Sequence, residues 1–254
     1  MATSDLLVEK HDGVLHITVD RQAKRNALSR AVLHQLRETF LAAADDEDLL
    51  VAVLRGAGDK SFAAGGDLRD LNTVRTVDDA RELADQGKAA LDTIRRFPVP
   101  VVALVNGDAL GGGAELSVAC DLRVFATHAR IGFIQGKLNI STAWGGGIDL
   151  LQLVGPATGL RLLSRSELVD APTALAIGLA DAVAKEGQTI EDAMHSFLEP
   201  LRRQAPQALR AFKALASQTR FGRSRDDLAA LETRLFSGVW IHDDHWAAVK
   251  SILQ

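Results

Sequence analysis

The sequence predicts an α/β fold whose last third is helical, and three observations lead to this prediction. Short β-prone runs alternate with segments whose apolar residues recur at helical spacing. Glycine-containing turns separate these runs, and no period of roughly 20–50 residues repeats along the chain. The composition, 47% hydrophobic and 24% charged over 254 residues, is typical of a folded globular protein.

The predicted strands are short and apolar. They span residues 6–10, 14–19, 49–54, 101–105 and 122–125. Asp12 and Gly13 lie between the first two runs, and Asp-Gly at such a place is typical of a hairpin. Gly56 and Gly58 end the third run, and Asn106-Gly107 ends the fourth. We interpret the last three runs as buried strands.

The predicted helices begin at capping residues or at glycine turns. They run from Ser29 to about Ala44, from Asp78 or Asp79 to near Pro98, and from the Gly111-Gly112-Gly113 run to about Cys120. Ser29 is a good N-cap, and Val32, Leu36 and Phe40 recur on one side of the helix that follows. From Pro156 onward the pattern is mostly helical.

Charge and cysteine content argue against several classes of protein. Lys and Arg total 29 against 33 Asp and Glu, so the formal net charge is −4. A nucleic-acid binder usually shows a basic surplus, so nucleic-acid binding is not expected. The single cysteine, Cys120, can form no internal disulfide, which fits a reducing compartment.

Targeting and membrane signals are not recognised in the sequence. The first ten residues lack the basic and then apolar pattern of a signal peptide. The longest apolar run, residues 99–105, is far shorter than the roughly 20 residues of a membrane span. We therefore expect a cytoplasmic protein without a membrane partner.

Two small-residue turns follow two of the predicted buried strands, at residues 61–68 and 107–115. Both expose backbone N–H groups, and a helix start leaves such donors unpaired with a partial positive charge. Two donors from different strand ends could hold one oxyanion, with Glu115 about one turn into the helix. The alternative is that these glycines only permit tight turns.

Other nucleotide and hydrolase motifs are missing from these turns. Neither turn contains G-x-G-x-x-G, and the chain has no G-x-x-x-x-G-K-[ST] phosphate loop. It also lacks the G-x-S-x-G elbow of serine hydrolases. The dinucleotide, P-loop and serine-hydrolase interpretations are therefore disfavoured.

The chain resembles the enoyl-CoA hydratase/isomerase (crotonase) superfamily over nearly its whole length. The matching stretches, in the family's order, are RNAL at 25–28, FAAGGDL at 62–68, PVPVVALVNGDALGGGAELSVACD at 98–121, Gly145-Gly146, and LAIGLAD at 175–181. The long central motif is specific, so chance is a poor explanation.

The resemblance implies a fold and an assembly. The core, residues 1–194, would be a spiral of ββα units. Residues 195–254 would form a helical region that builds trimers, often paired as hexamers. The substrate would be a CoA thioester, so CoA counts as part of the substrate and not as a cofactor. The resemblance implies no metal or redox cofactor.

The resemblance also implies roles for individual residues. The thioester oxygen would lie between the N–H groups of Gly66 and Gly112. Lys24 or Arg25 could meet CoA phosphates, which suits their charge, although solvated surface charges are the alternative. The implied substrate-binding residues are Lys24, Arg25, Ala27, Ala64, Asp67, Leu68 and Trp144.

One residue departs from the pattern of the family's hydratases, which place two glutamates on one water. The first matches Glu115, but the second falls in a motif that reads Ile131-Gly132-Phe133-Ile134-Gln135 here. Glutamine has no proton that titrates in the useful range, so it cannot be the second acid or base. It can still orient water or substrate by hydrogen bonds.

Two short segments resemble the methylmalonyl- and ethylmalonyl-CoA decarboxylase-like branch, AWGG at 143–146 and SGVW at 237–240. Trp144 is a candidate for the acyl pocket, with core packing as the alternative.

Asp149 is expected to be an acid on a helix surface. His242 and His245 are expected in a solvated turn rather than at a metal. Phe212, Lys213 and Phe236 are expected in the core or at trimer contacts.

We therefore predict an acyl-CoA enzyme that acts through an enolate stabilised by an oxyanion hole. Glu115, Gln135, Gly66 and Gly112 are the candidate catalytic residues. One-carboxylate chemistry, either decarboxylation or double-bond isomerisation, is the leading prediction. The alternatives are a conventional enoyl-CoA hydratase despite Gln135, or a non-catalytic member that binds CoA or RNA.

Overall fold

The computed structural model describes residues 4–253 and shows an α/β fold with two sheets. The strands are β1 (Leu6–His11), β2 (Val14–Val19), β3 (Val51–Gly56), β4 (Ser61–Ala63), β5 (Val101–Val105), β6 (Asp108–Leu110), β7 (Leu122–Phe125), β8 (Arg130–Gly132), β9 (Leu168–Asp170) and β10 (Ala182–Val183).

The helices lie between the strands in the first part of the chain and follow one another at its end. They are α1 (Arg30–Ala43), α2 (Val77–Arg95), α3 (Gly112–Ala119), α4 (Gly146–Val154), α5 (Pro156–Arg165), α6 (Ala171–Ala176), α7 (Ile190–Arg202), α8 (Pro206–Arg220), α9 (Arg225–Trp240) and α10 (Asp243–Ile252). Short 3-10 helices span Gln22–Lys24, Leu71–Thr73 and Ile134–Leu138.

The larger sheet has the strand order β1-β2-β3-β5-β7-β10. Strand β1 is antiparallel to β2, and the other neighbours are parallel. Along β3, Ala52 and Leu54 face the main core, whereas Val51 and Val53 face a second cluster with Met194 of α7. Because both faces are buried, these strands read as continuous apolar runs in the sequence.

The smaller sheet has the order β4-β6-β8-β9, with β4, β6 and β8 parallel and β9 antiparallel. The chain alternates between the two sheets. It runs through β3 and β4 to α2, then through β5 and β6 to α3, then through β7 and β8 toward α4. Each turn thus adds one strand to each sheet, which confirms the expected spiral of ββα units.

Several predicted elements are confirmed at their predicted bounds. The hairpin turns at Asp12 and Gly13, both at positive φ. Ser29 caps α1, since its side chain accepts a hydrogen bond of 3.3 Å from the Val32 N–H. Strands β5 and β7 begin and end where the apolar runs do.

The smaller sheet was not predicted. The sequence pattern predicts turns at residues 61–63 and 108–110, but both segments are strands, and residues 130–132 and 168–170 form strands as well. Each has three residues, too few for an alternating pattern to identify. These strands form because the spiral brings their backbones side by side.

Two element starts and one helix also differ from prediction. Strand β3 begins at Val51 rather than residue 49. Helix α2 begins at Val77 because Thr76 and Asp79 form a reciprocal capping box, each side chain accepting from the other's N–H at 3.1 Å. Helix α4 begins in the glycine run at 145–147; a helix was expected at Asp149, but its bounds were not predicted.

The last helices differ in how they are buried. Helix α7 packs Ala193 and Met194 against the larger sheet and runs across the division at 194/195, which stays a prediction. Helices α9 and α10 bury no residue among those described, and they expose Phe236, Trp240 and Trp246. Within residues 4–253, no helix is both long and apolar enough to cross a membrane.

Candidate active site

The two glycine turns lie side by side. Strand β4 pairs in parallel with β6, so that Ser61 faces Asp108 and Ala63 faces Ala109. The turns that leave these strands are equally close, since a methyl group placed on Gly65 would lie 3.6 Å from the Gly112 nitrogen. The smaller sheet therefore brings together two segments that are about 45 residues apart in the chain.

The amides of Gly66 and Gly112 have no acceptor among residues 4–253. Leu28 pairs with this turn through the Gly65 carbonyl and the Asp67 N–H, which leaves the Gly66 N–H unused. Gly112 is the first residue of α3, so its N–H precedes the helical hydrogen bonds. Two backbone donors from adjacent turns are thus available to a ligand.

Glu115 lies in the first turn of α3 and is 3% exposed. Its Oε2 accepts hydrogen bonds from the Trp144 N–H at 2.9 Å and the Gly146 N–H at 3.0 Å. Its Oε1 accepts from Gln135 Nε2 at 2.9 Å and from the Ala143 N–H at 3.5 Å. Every donor to this buried carboxylate is electrically neutral.

Burial raises the pKa of Glu115 above its ordinary value, although hydrogen bonds from Gly146, Trp144, Ala143 and Gln135 oppose that shift. The two carboxylate oxygens are not equivalent. Oε2 is held by two good backbone donors, whereas Oε1 has one good donor and one long contact. A proton is therefore accommodated more readily on Oε1.

Close approach at a glycine positions this carboxylate. A Cβ on Gly146 would lie 2.5 Å from Cβ and Cγ of Glu115. Any larger residue at 146 would push α4 away from Glu115, and its N–H would no longer reach Oε2. A Cβ on Gly113 would likewise lie 2.0 Å from the Ala63 carbonyl oxygen, so α3 can approach β4 only with glycine there.

Gln135 lies in the 3-10 helix that follows β8 and is 8% exposed. Its Nε2 donates to Glu115, while its Oε1 is buried without a hydrogen-bond partner among the described residues. The structure therefore brings Glu115 and Gln135 together, as the motif comparison implied. It leaves one acceptor of the pair available.

Trp144 is 6% exposed and its ring lies beside the glycine turns. A Cβ on Gly112 would lie 2.4 Å from Cζ3 of the indole, and one on Gly66 would lie 3.9 Å from Cη2. On its other side the ring contacts α2, where a Cβ on Gly87 would meet it at 2.1 Å. The indole is thus a wall of the space next to the two amides.

A groove of about 380 Å³ leads along the surface next to Gly66. Its lining contains the predicted residues Lys24, Arg25, Ala27, Ala64, Asp67 and Leu68 together with Ala23, Gly66 and Arg69. Lys24 and Leu68 are exposed. Of the predicted substrate-binding residues, Trp144 alone lies outside this groove.

The Asp67 carboxylate is already engaged. Burial opposes its ionisation, but hydrogen bonds from Arg21 and from the Arg69 N–H hold its pKa below the ordinary value. Arg21 Nη2 lies 2.9 Å from Oδ2 of Asp67, and Arg21 Nη1 donates to the Ala27 carbonyl. Arg21 therefore ties the 21–27 loop to the 64–69 turn, a role that the sequence analysis missed.

Asn26 gives the same loop its shape. It is 1% exposed and donates to the carbonyls of Ala57 and Ser61 at 3.0 and 2.7 Å. Both Arg25 and Asn26 adopt positive φ, a conformation that asparagine tolerates better than most residues. The RNAL motif thus carries a loop-forming asparagine, and the sequence alone could have suggested it.

The expectation that Asp149 is a helix-surface acid was wrong. Asp149 is 4% exposed in α4 and binds two arginines. Arg95 Nε and Nη2 lie 3.0 and 2.8 Å from its Oδ2, and Arg220 Nε lies 2.9 Å from its Oδ1. Arg95 occupies the buried face of α2 because it follows Leu91 by one helical turn, a spacing that could have indicated its burial.

The other polar candidates have ordinary structural roles. His242 caps α10, and no group of three or more His, Cys, Asp or Glu within the described ranges could hold a metal. Lys213 is 4% exposed and pairs with Asp121. Phe212 and Phe236 are exposed at 67% and 59%, so they are not core residues in the single chain.

Comparison with known proteins agrees with this architecture. The family model for enoyl-CoA hydratase/isomerase matches residues 9–252. A 2,3-dehydroadipyl-CoA hydratase from Escherichia coli is 33% identical over 251 residues, 99% of this chain and 96% of that protein. An ethylmalonyl-CoA decarboxylase from Bos taurus is 30% identical over 214 residues, 83% of this chain and 69% of that protein.

The fold agrees equally well with a solved relative. The crystal structure of an enoyl-CoA hydratase from Bacillus anthracis superimposes with a TM-score of 0.91 at 27% identity, covering 98% of this chain and 96% of that one. The chain thus has a spiral α/β enzyme fold. Its two sheets are built from ββα units, and a buried glutamate lies beside two amides that have no acceptor among the described residues. The chain belongs to the enoyl-CoA hydratase/isomerase family.

Proposed function

We propose that this acyl-CoA enzyme works through a thioester enolate, with Glu115 as its single proton-transfer group. The observation that carries the proposal is the buried Glu115–Gln135 pair, joined at 2.9 Å, in which one carboxylate has an amide as its partner. The supported reactions are decarboxylation of a malonyl-type thioester and migration of a double bond.

The N–H groups of Gly66 and Gly112 supply the oxyanion hole in this proposal. The thioester carbonyl accepts from both, and negative charge moves onto its oxygen as the enolate forms. Loss of one such donor in comparable sites costs about 3–4 kcal/mol of transition-state stabilisation. Trp144, next to both glycines, excludes water from this oxygen.

Oε1 of Glu115 exchanges the proton, because Oε2 is held by the N–H groups of Trp144 and Gly146. In double-bond migration, Oε1 takes a proton from one carbon and returns it to another, so one carboxyl group suffices. In decarboxylation the C–C bond electrons pass to the thioester oxygen as carbon dioxide leaves. The α-carbon then receives one proton from protonated Oε1 of Glu115, and the carboxylate takes a replacement proton from solvent before the next turnover.

Gln135 serves both protonation states of its neighbour. With Glu115 ionised, Nε2 donates to Oε1, as the structure shows. With Oε1 protonated, rotation of the amide by half a turn lets its oxygen accept that proton's hydrogen bond. The amide group that then faces the substrate is a donor, which suits a substrate carboxylate.

Conventional hydration is the second candidate, because the relative from Escherichia coli is named a hydratase. It requires a base for the water and an acid for the α-carbon. In this chain both tasks fall to Glu115, with Gln135 only orienting the water. Hydration is therefore expected to be slow.

The 380 Å³ groove between the 23–27 loop and the 64–69 turn is proposed to hold CoA. Lys24 and Arg25 are the basic groups for its phosphates. The proposed chemistry draws on the amides, Glu115 and the substrate's own CoA, so it needs no metal or redox cofactor. RNA binding is not supported, since the net charge is −4.

A panel of CoA esters tests the function. Enoyl-, malonyl-, methylmalonyl- and 3-hydroxyacyl-CoA are incubated with the protein and followed by liquid chromatography and mass spectrometry. Loss of carbon dioxide lowers the mass, hydration raises it, and isomerisation changes retention alone. We expect decarboxylation or isomerisation to be fastest, and predominant hydration would contradict the one-carboxylate proposal.

We also propose that the chain assembles as a trimer or a dimer of trimers through α8, α9 and α10. The support is the row of exposed aromatic side chains Phe212, Phe236, Trp240 and Trp246. Light scattering after size-exclusion chromatography measures the mass directly. A chain of 27.2 kDa that stays monomeric at micromolar concentration would contradict this assembly.

A further inference from the structure

A chain of ionic contacts connects helix α8 to the loop at residues 143–146, whose N–H groups donate to Glu115. Arg220, at the end of α8, donates Nε to Oδ1 of Asp149 at 2.9 Å. Oδ2 of Asp149 accepts from Nε and Nη2 of Arg95. Nη2 of Arg95 also donates to the Trp144 carbonyl oxygen at 2.9 Å.

The Trp144 peptide is where this chain meets Glu115. The N–H of Trp144 donates to Oε2 of Glu115 while its carbonyl is held by Arg95, so both polar groups of one residue are fixed. Asp149 lies one turn after this loop, in the first turn of α4, where its backbone N–H donates to the Gly145 carbonyl at 3.1 Å in the ordinary helical pattern. A Cβ on Gly145 would lie 2.9 Å from Nη2 of Arg95, so the loop and the guanidinium are in direct contact.

The other end of the chain reaches the helix that carries Glu115. Nη1 of Arg220 donates to the Ala119 carbonyl at 3.0 Å, and its Nη2 donates to the Val118 carbonyl. These carbonyls end α3, where a cation is favoured by the helix dipole. Arg220 thus binds the end of α3, and Arg95 binds the 143–146 loop. The separation of these two segments decides whether the N–H groups of the loop reach the carboxylate of Glu115.

We propose that Arg95, Asp149 and Arg220 are positioning residues that hold the 143–146 loop against Glu115. None of them touches the carboxylate itself. They act by keeping the N–H groups of Trp144 and Gly146 within hydrogen-bond distance of Oε2. The proposal rests on the proposed role of Glu115, but the placement of its carboxylate can be measured without turnover.

The placement has a direct readout in the ionisation of Glu115. Hydrogen bonds from N–H groups favour the charged form, so a loosened loop raises the pKa of this carboxyl further. Selective ¹³C labelling of glutamate side chains lets NMR follow this titration, and Glu115→Gln assigns the signal. We expect Arg95→Lys, which keeps the positive charge, to raise the pKa by about one pH unit. In Asp149→Asn the loss of a nearby negative charge opposes the rise, so a smaller increase is expected there.

The kinetic readout separates positioning from binding. With the best substrate from the CoA-ester panel, both variants should lower kcat by about 100-fold, the cost typical of a misplaced catalytic group. KM should change little, because the proposed CoA groove lies elsewhere. Arg220→Lys keeps a positive charge beside Asp149, so this variant should lose less activity than Arg220→Met.

Arg123 provides the matched control. It is 1% exposed, donates to the Cys120 and Leu179 carbonyls and binds Asp181, but it makes no contact with the 143–146 loop. Arg123→Lys should lower the melting temperature without moving the titration of Glu115. An equal change in Arg123→Lys would show general loosening and overturn the proposal.

The remaining outcomes are distinct. If folded Asp149→Asn and Arg95→Lys titrate and turn over like the parent protein, the positioning proposal is wrong. If Asp149→Asn does not fold, the titration and kinetics of Arg95→Lys, together with the activities of Arg220→Lys and Arg220→Met, test the proposal. If Glu115→Gln retains turnover while the pKa of Glu115 rises in the other variants as expected, the positioning holds and the catalytic assignment of Glu115 fails.

Discussion

Glu115 and Asp149 are two carboxylates of nearly equal burial, at 3% and 4% exposure, on either side of the same loop. Glu115 is surrounded by neutral amide donors, whereas Asp149 lies between the guanidinium groups of Arg95 and Arg220. Burial by itself therefore does not mark a carboxylate as a proton-transfer group. A buried carboxylate keeps its proton accessible only where no cation compensates its charge.

Removing the uncompensated carboxylate of Glu115 should reduce turnover strongly. Glu115→Gln should lower turnover by about 10³-fold or more, in the range of general acid–base catalysis. Binding of the CoA ester should persist, since the groove residues are unchanged. Steady-state kinetics and calorimetric binding of a non-reactive CoA thioether measure the two effects, and unchanged turnover would remove Glu115 as the catalytic group.

The compensated carboxylate should matter more for stability. Asp149→Ala leaves two arginines facing each other in a buried place and should cost about 3–5 kcal/mol of unfolding free energy. Asp92 is the control, because its carboxylate also binds Arg95, at 2.8 Å, but is 41% exposed. Urea unfolding of Asp92→Ala should show a loss below about 1 kcal/mol, and equal losses would contradict the comparison.

A second carboxylate beside Glu115 should alter the reaction. Gln135→Glu restores an acid and a base near one water, and hydration of crotonyl-CoA should rise at least about tenfold. Repulsion between the adjacent carboxyl groups should also raise one pKa and move the pH optimum upward. Gln135→Met controls for loss of the amide alone, and rapid hydration by the unaltered protein would show that Gln135 is no obstacle.

Glu115 should also affect, more weakly, how the stability of the folded protein depends on pH. The pKa of Glu115 is raised in the folded state. The stability that Glu115 contributes to the fold is therefore fully present below its pKa in the unfolded chain, and it is lost as pH rises through its pKa in the folded protein. Glu115→Gln removes this loss, so its advantage in melting temperature should grow with pH across that window. About 1.4 kcal/mol is expected for every pH unit that separates the folded pKa from the unfolded one, and a constant difference would contradict the assignment.

Long elements and the family motif were predictable from residues alone. Ser29 marked the start of α1, and the apolar run 101–105 gave β5 at its bounds. The strands of the smaller sheet were missed because three residues carry no usable periodicity. Asp149 was misplaced because a one-dimensional pattern cannot show which cations meet a carboxylate.

The α/β class and the family resemblance can be read from contiguous motifs, because such motifs specify local backbone and residue chemistry. Through that resemblance the motifs also indicated Glu115 and Gln135 as a pair. The folded chain alone reveals that Gly65 lies beside Gly112, that two amides hold Oε2 of Glu115, and that Arg95 and Arg220 share Asp149. These contacts join segments far apart in the chain. They exist only once the spiral has closed and burial has made each unpaired polar group costly.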